Sequence, residues 1–251
     1  GDCAKIGGRA VADPRVAGVA FTGSTETARL INQTLSHRDG PIGILIAETG
    51  GQNAMFVDSS ALPEQVVHDS IYSAFNSAGQ RCSALRLLCV QEEIEPRTLE
   101  LLVGYMDELD IGDPKHLSTD VGPAIDDEAR GLLTAHVERM SHEARIVHRC
   151  KLPEGTDAGT FFAPTLIEID SIDALQQEVF GPVLHVMKFK GKHLDKTVEA
   201  INSTGYGLTM GLHSRIDSRA TGLAKASGAG NVYINRNIIG AVVGAQPFGG
   251  E

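Results

Sequence analysis

Cys82 stands in the run Ser77-Ala78-Gly79-Gln80-Arg81-Cys82-Ser83, behind a glycine and next to a cation. A thiol attacks as its thiolate, and a neighbouring guanidinium favours that form, so this setting suits covalent chemistry on an electrophilic carbon. A buried, inert cysteine is the other reading of the same residues. Earlier in the chain lies Glu48-Thr49-Gly50-Gly51-Gln52-Asn53. A carboxylate leaving a parallel strand sits where α/β sites form, and the two glycines let backbone approach a ligand. Taken alone, the motif reads better as an ordinary strand-to-strand turn with a solvated Glu. Glu178-Val179-Phe180-Gly181-Pro182 sets an acid two residues from an aromatic, which can hold a sugar hydroxyl and a ring, or can be one exposed and one buried side chain at a bend. The glycine-rich tail from Asn235 to Glu251 offers loop N–H groups to an anion, or is a surface loop.

Alternating strands and helices must position these residues. Residues 16–22 read as a short buried strand, and Ser24 as the N-cap of a helix carrying Ala28, Ile31 and Leu35 on one face. Arg38-Asp39-Gly40-Pro41 ends it. Residues 42–47 read as a second buried strand and 53–57 as a third. A helix follows from about Pro63 to Ala78, after Asp58-Ser59-Ser60 as capping residues. Further strands are expected at 85–90, 145–148, 165–169, 183–189, 208–213 and 231–234. Helices are expected at about 96–109, 126–140, 194–203 and 216–227. The pattern predicts an α/β fold with a mostly parallel sheet.

Composition narrows the function. A net charge of −10 argues against a nucleic-acid or anionic membrane surface, because phosphate binding needs clustered Lys and Arg. No apolar run approaches the roughly 20 residues that span a bilayer. The spacing of Cys3, Cys82, Cys89 and Cys150 fits neither a zinc pattern nor a disulfide framework, so no metal is expected and a reducing, cytoplasmic setting is the simpler reading. The glycines at the end read as the start of a loop, and the chain reads as a segment cut from a longer protein.

Six motifs in order carry a resemblance that none carries singly. They are Phe21-Thr22-Gly23-Ser24-Thr25-Glu26, Glu48-Thr49-Gly50-Gly51, Gly79-Gln80-Arg81-Cys82, Glu178-Val179-Phe180-Gly181-Pro182, Gly230-Asn231-Val232-Tyr233-Ile234-Asn235 and Pro247-Phe248-Gly249-Gly250. Together they resemble the aldehyde dehydrogenase superfamily across essentially the whole chain. Two stretches narrow the likeness: Glu48 to Val67, and Asn235-Arg236-Asn237-Ile238-Ile239-Gly240-Ala241-Val242-Val243-Gly244. They resemble the L-glutamate γ-semialdehyde (Δ1-pyrroline-5-carboxylate) dehydrogenases that form one module of the bacterial bifunctional proline utilization A flavoenzymes.

The resemblance implies residues 1–47 as the last part of an NAD-binding domain, 48–247 as a catalytic domain and 248–251 as the start of a truncated loop. It implies Cys82 as nucleophile and Glu48 as the base that activates water against a Cys82 thioester. NAD would be met by Gly23, Ser24, Thr49, Gly50, Glu178 and Phe180, with Ser24 at a helix N-terminus that suits a pyrophosphate. Ser83 and the backbone N–H groups of Gly240 and Ala241 would hold the substrate carboxylate. FAD would belong only to a separate proline dehydrogenase module. The family's turn has Gly where this chain has Ala28, and its second oxyanion donor, an Asn, comes from an earlier segment. Implied partners are the small aldehyde, the remaining modules of the parent and a second copy of the parent. By itself the chain is expected to be inactive. Other readings are a dehydrogenase for another semialdehyde, such as succinate semialdehyde, and a non-catalytic segment serving oligomerisation.

Overall fold

The structure is a computed structural model, and it describes residues 3–242 and 244–250. Gly1 and Asp2 of the expected NAD-binding part, Val243 of the tail motif and the terminal Glu251 lie outside the described residues. The chain forms two compact units, Gly1–Gly50 and Gly51–Glu251.

In the first unit, helix α1 (Cys3–Ala12) precedes strand β1 (Gly18–Thr22), helix α2 (Thr25–His37) and strand β2 (Ile44–Glu48). The strands pair in parallel, Gly18 with Ile44 through Thr22 with Glu48. Ser24 caps α2 as its sequence suggests, its Oγ accepting from the Thr27 N–H at 3.2 Å. Helix α1 was not expected, since glycines at 7 and 8 interrupt its run. Arg38 secures its end by donating to the carbonyls of Val11 and Asp13. One expectation is corrected. The strands over 16–22 and 42–47 are not buried, and Ile42, Ile44 and Ile46 are largely exposed. A two-stranded ribbon with two helices has too little structure to cover both of its faces.

The second unit is built on a seven-stranded sheet. Its strands are β3 (Ala54–Val57), β4 (Leu87–Gln91), β5 (Arg145–Arg149), β6 (Thr165–Glu168), β7 (Val183–Phe189), β8 (Thr209–His213) and β9 (Asn231–Ile234), in the order β5-β6-β7-β4-β3-β8-β9. Only β5 runs antiparallel. The central strands are buried on both faces, as a parallel sheet covered by helices requires. Met55, Val57, Leu88 and Val90 pack against α3 (Pro63–Phe75) and α4 (Glu95–Asp107). Their neighbours Ala54, Phe56, Leu87 and Cys89 pack on the opposite side against α5 (Asp127–Glu143), α6 (Leu194–Asn202) and α7 (Asp217–Ala226). Period-two alternation thus builds two cores from the same strands. No described helix is long and apolar enough to cross a membrane.

Two expectations about α3 are corrected. The N-cap position is Leu62, with no side-chain cap, and Pro63 begins the helix. Asp58 instead closes the preceding turn, accepting from the Ser60 N–H at 2.7 Å. The helix also stops at Phe75 rather than Ala78, because Ser77, Ala78 and Gly79 take φ of 55°, 53° and 64°. A left-handed residue cannot continue a right-handed helix.

Candidate active site

The stop in α3 makes the loop that carries Cys82. Three successive left-handed residues turn the chain back, and the Gln80 N–H closes the turn on the Ser77 carbonyl at 3.0 Å. Gly79 is required there twice over, by its φ and because a Cβ would sit 2.2 Å from the Gly181 carbonyl oxygen. Ser77 and Ala78 adopt the same region without glycine's freedom, at a cost of roughly 1–2 kcal/mol each. Such strain persists only when surroundings over-determine it.

The surroundings are the amino ends of four strands. Asn53, just before β3, donates through Nδ2 to the carbonyls of Cys82 at 2.7 Å and Ala84 at 2.8 Å. Its Oδ1 accepts from the Thr209 N–H at the start of β8. Gly51 packs so closely that a Cβ would lie 2.6 Å from the Cys82 carbonyl oxygen. Gln80 bridges to the segment before α5, donating to the Pro123 carbonyl and accepting from the Ile125 N–H. Cys82 is half-buried at this edge, whereas Cys89 and Cys150 are buried and burial pushes both thiols up, Cys150 to about 11. These three residues are thiols, joined by no disulfide.

Arg86 was missed by sequence reading, and it organises the site. It is only 1% exposed. Nη1 donates to the Gly79 carbonyl at 2.7 Å and the Gly181 carbonyl at 3.3 Å. Nη2 donates to the Arg81 carbonyl at 3.0 Å and to Glu178 Oε1 at 3.1 Å. Phe180 lies against the guanidinium, 5.2 Å from ring centroid to Cζ. One cation therefore ties the loop before Cys82 to the Glu178–Gly181 turn. Burial lowers the Arg86 pKa, opposed by the charges of Glu178 and of Cys82 as thiolate. Arg81 braces the exposed side of the loop, its Nε donating to Ser77 Oγ at 3.1 Å, and the buried cation set against the loop is Arg86. The signal in the sequence was a charge inside the apolar run Leu85-Arg86-Leu87-Leu88, since a buried charge must be paired.

Glu178 has a mostly buried side chain. Burial pushes its carboxyl up, and Arg86 and the Gly51 N–H pull it back without fully cancelling that rise. Phe180 beside it is exposed. Behind the site, His185 Nδ1 meets the Arg86 carbonyl at 3.1 Å, and its Nε2 meets His136 Nε2 at 2.9 Å. Burial pushes His185 down to about 3 and His136 to about 4, so both rings are neutral at neutral pH. A carbonyl only accepts, which puts the His185 proton on Nδ1 and makes His136 the donor between the rings.

The structure thus gathers Cys82, Glu178 and Phe180 around Arg86. Ser83 is buried, and its carbonyl accepts from Thr209 Oγ1. The tail beyond β9 returns toward the same edge. The Ile238 N–H donates to Ser73 Oγ, and the Gly249 carbonyl accepts from Asn231 Nδ2 at the start of β9. Gly240 and Ala241 lie on this return, with Gly240 at φ 81°. Gly23, Ser24, Glu48, Thr49 and Gly50 belong to the first unit. There Glu48 ends β2, and its carbonyl accepts from the Gly23 N–H at 3.1 Å. Among the described residues no group of three or more His, Cys, Asp or Glu could hold a metal ion.

The model of the aldehyde dehydrogenase family matches residues 1–251. The bifunctional protein PutA of Klebsiella aerogenes is 53% identical over 98% of the chain, which covers 19% of that protein. The 1-pyrroline-5-carboxylate dehydrogenase of Geobacillus kaustophilus is 34% identical over 100% of the chain, which covers 49% of it. The crystal structure of 1-pyrroline-5-carboxylate dehydrogenase from Thermus with bound NAD superposes with a TM-score of 0.92 at 32% identity, over 100% of this chain and 49% of that one. The chain therefore spans about half or less of the proteins it matches. Those matches and the α/β sheet agree: the chain belongs to the aldehyde dehydrogenase family.

Proposed function

We propose that the protein containing this chain oxidises L-glutamate γ-semialdehyde to L-glutamate with NAD, in proline catabolism, and that Cys82 is the nucleophile. The observation that carries this is the half-buried thiol at the end of a strained loop, pinned from both sides by Asn53 and Arg86. The similarity to PutA and to 1-pyrroline-5-carboxylate dehydrogenases supports the substrate.

Cys82 as thiolate attacks the aldehyde carbon and forms a thiohemiacetal, and its own backbone N–H is one donor to the developing oxyanion. NAD, when bound, supplies the hydride acceptor that turns this adduct into a Cys82 thioester. Glu48 takes the proton from the water that hydrolyses the thioester, releasing the carboxylate product and the thiol. The chain offers groups that suit the dinucleotide. Glu178 presents a carboxylate fixed by Arg86 to accept ribose hydroxyls, and Phe180 gives a ring surface beside it. Ser24 with Gly23 at the start of α2, and Thr49 with Gly50, are assigned to the rest of the cofactor, the helix N-terminus suiting a phosphate. Ser83, Gly240 and Ala241 are assigned to the substrate carboxylate, which neutral donors can hold.

The test is NADH formation from NAD and glutamate γ-semialdehyde. The full-length protein is expected to turn over and the 251 residues alone are not, because losing one oxyanion donor costs about 2.7–4 kcal/mol in the transition state. A full-length protein that prefers succinate semialdehyde would overturn the substrate assignment. Turnover by the short chain would overturn its inactivity.

A further inference from the structure

Arg86 is more completely buried than any other Lys or Arg among the described residues, and its four hydrogen bonds divide between two parts of the site. Two secure the loop before Cys82, through the carbonyls of Gly79 and Arg81. The others secure the opposite turn, through the Gly181 carbonyl and the Glu178 carboxylate. Its Nε is buried with no hydrogen-bond partner, so one donor of the guanidinium is left unsatisfied. The ionisable groups facing it are Glu178, Cys82 and, from β7, the neutral ring of His185. The carboxylate and the thiol are the two of these that can carry negative charge.

We propose that Arg86 is a positioning residue that shares its charge between Glu178 and Cys82, so that the state of Glu178 sets how readily Cys82 ionises. This rests on the reading of Cys82 as nucleophile. With Glu178 ionised, the carboxylate takes most of the Arg86 field. When the Glu178 charge is removed or drawn to another partner, the same field falls on the thiol and favours its thiolate. Acid and nucleophile lie far apart in sequence and are coupled through one guanidinium, with no conformational change needed.

The test follows the rate of Cys82 alkylation by iodoacetamide against pH in this chain, read on the Cys82 peptide by mass, with Cys89 and Cys150 as buried internal references. Glu178→Gln keeps an oxygen acceptor for Arg86 and removes the charge, and it should move the alkylation midpoint down by about one pH unit, since a nearby opposite charge shifts a pKa by about 1–3. At pH below the midpoint that is about tenfold faster labelling. Arg86→Met should move the midpoint the other way and slow labelling by about tenfold. A purely structural Arg86 predicts that both variants loosen the loop and move the midpoint in one direction, or leave it in place. Either result overturns the proposal. If Arg86→Met does not fold, Glu178→Gln decides alone, a midpoint unmoved or raised being the overturning result. A Cys82 that labels no faster than Cys89 and Cys150 in the unaltered chain would instead sink the reading of Cys82 as nucleophile, which keeps the two failures apart.

Discussion

The seven-stranded sheet carries an ion pair at each end of its strands, and the two are built in opposite ways. Where the strands begin, Arg86 is 1% exposed and its partner Glu178 14%. Where they end, Asp58 is 0% exposed and its partner Arg219 34%. Asp58 is saturated with donors: the Ser60 N–H and Oγ, Ser214 Oγ and Arg219 Nη1 at 3.0 Å. Asn235 closes that cluster by bonding both the N–H and the carbonyl of Ser214. Burial raises the Asp58 pKa, but these bonds outweigh it and the carboxyl is lowered overall. At the other edge the buried partner is the cation, one of its donors is unsatisfied, and the acid is raised. A carboxylate locked in one charge state holds the fold together. The acid at the other edge is raised instead and stands near a strained loop that carries a thiol.

The sharpest way to break this comparison is at the thiol. Cys82→Ser should lower aldehyde oxidation by the full-length protein by about 10⁶-fold, the scale on which loss of a nucleophile is felt in acyl-enzyme chemistry. Urea unfolding of the same variant should be unchanged within about 0.5 kcal/mol, since Cys82 is only half-buried. Retention of more than a small fraction of activity would remove the chemical half of the contrast.

Much of this was legible in the sequence, and the misses have physical causes. The strands of the second unit follow from short apolar runs bounded by turns, and β7 matches its expected span of 183–189. The end of α3 was not legible. Val67, Ile71, Ala74 and Ala78 keep helical spacing, and nothing in Ser77 or Ala78 announces a left-handed backbone that Gly79 and Arg86 impose from outside. The exposure of β2 was hidden for a different reason. An apolar run shows that a strand needs cover, not which residues supply it. At the candidate site, order and spacing of motifs pointed to Cys82 and Glu178 but not to the residue that joins them. Arg86 makes its contacts across 92 residues of sequence to Glu178, which no local pattern reveals.

The next effect belongs to the opposite edge. Asp58→Asn should destabilise the chain by about 3 kcal/mol, near the lower end for breaking a buried pair because Arg219 keeps a third of its surface in water. Cys82 labelling should not change. The two edges should also part with pH. Asp58 is lowered, so its contribution is present above the ordinary aspartate value of 3.8 and lost as pH falls through the still lower folded pKa. Glu178 is raised, so its contribution is present below 4.5 and lost as pH rises through its folded pKa. Unfolding free energies measured against pH should therefore show Glu178→Gln gaining on the unaltered chain as pH rises past 4.5, and Asp58→Asn losing on it as pH rises toward 3.8 and keeping that deficit above it. Parallel curves for the two variants would erase the contrast between the edges.

The smallest effect tests whether the strain in the Cys82 loop serves the site. Gly79→Ala is too severe to be informative, since the new Cβ would strike the Gly181 carbonyl. Ser77 is the better probe, being exposed and left-handed at φ 55°. Ser77→Gly removes a conformational cost of roughly 1–2 kcal/mol and adds back glycine's unfolded-state entropy, about 0.5–1 kcal/mol. The net is a gain of about 0.5–1 kcal/mol in stability by urea unfolding. The substitution also deletes the Oγ that accepts from Arg81, so Arg81 no longer braces the loop. If the strain holds Cys82 in place, the more stable variant should label more slowly at Cys82 or with a broader spread of rates. If labelling is unchanged while stability rises, the left-handed turn is a by-product of packing Gly79 against Gly181, and Asn53 and Arg86 alone position the thiol.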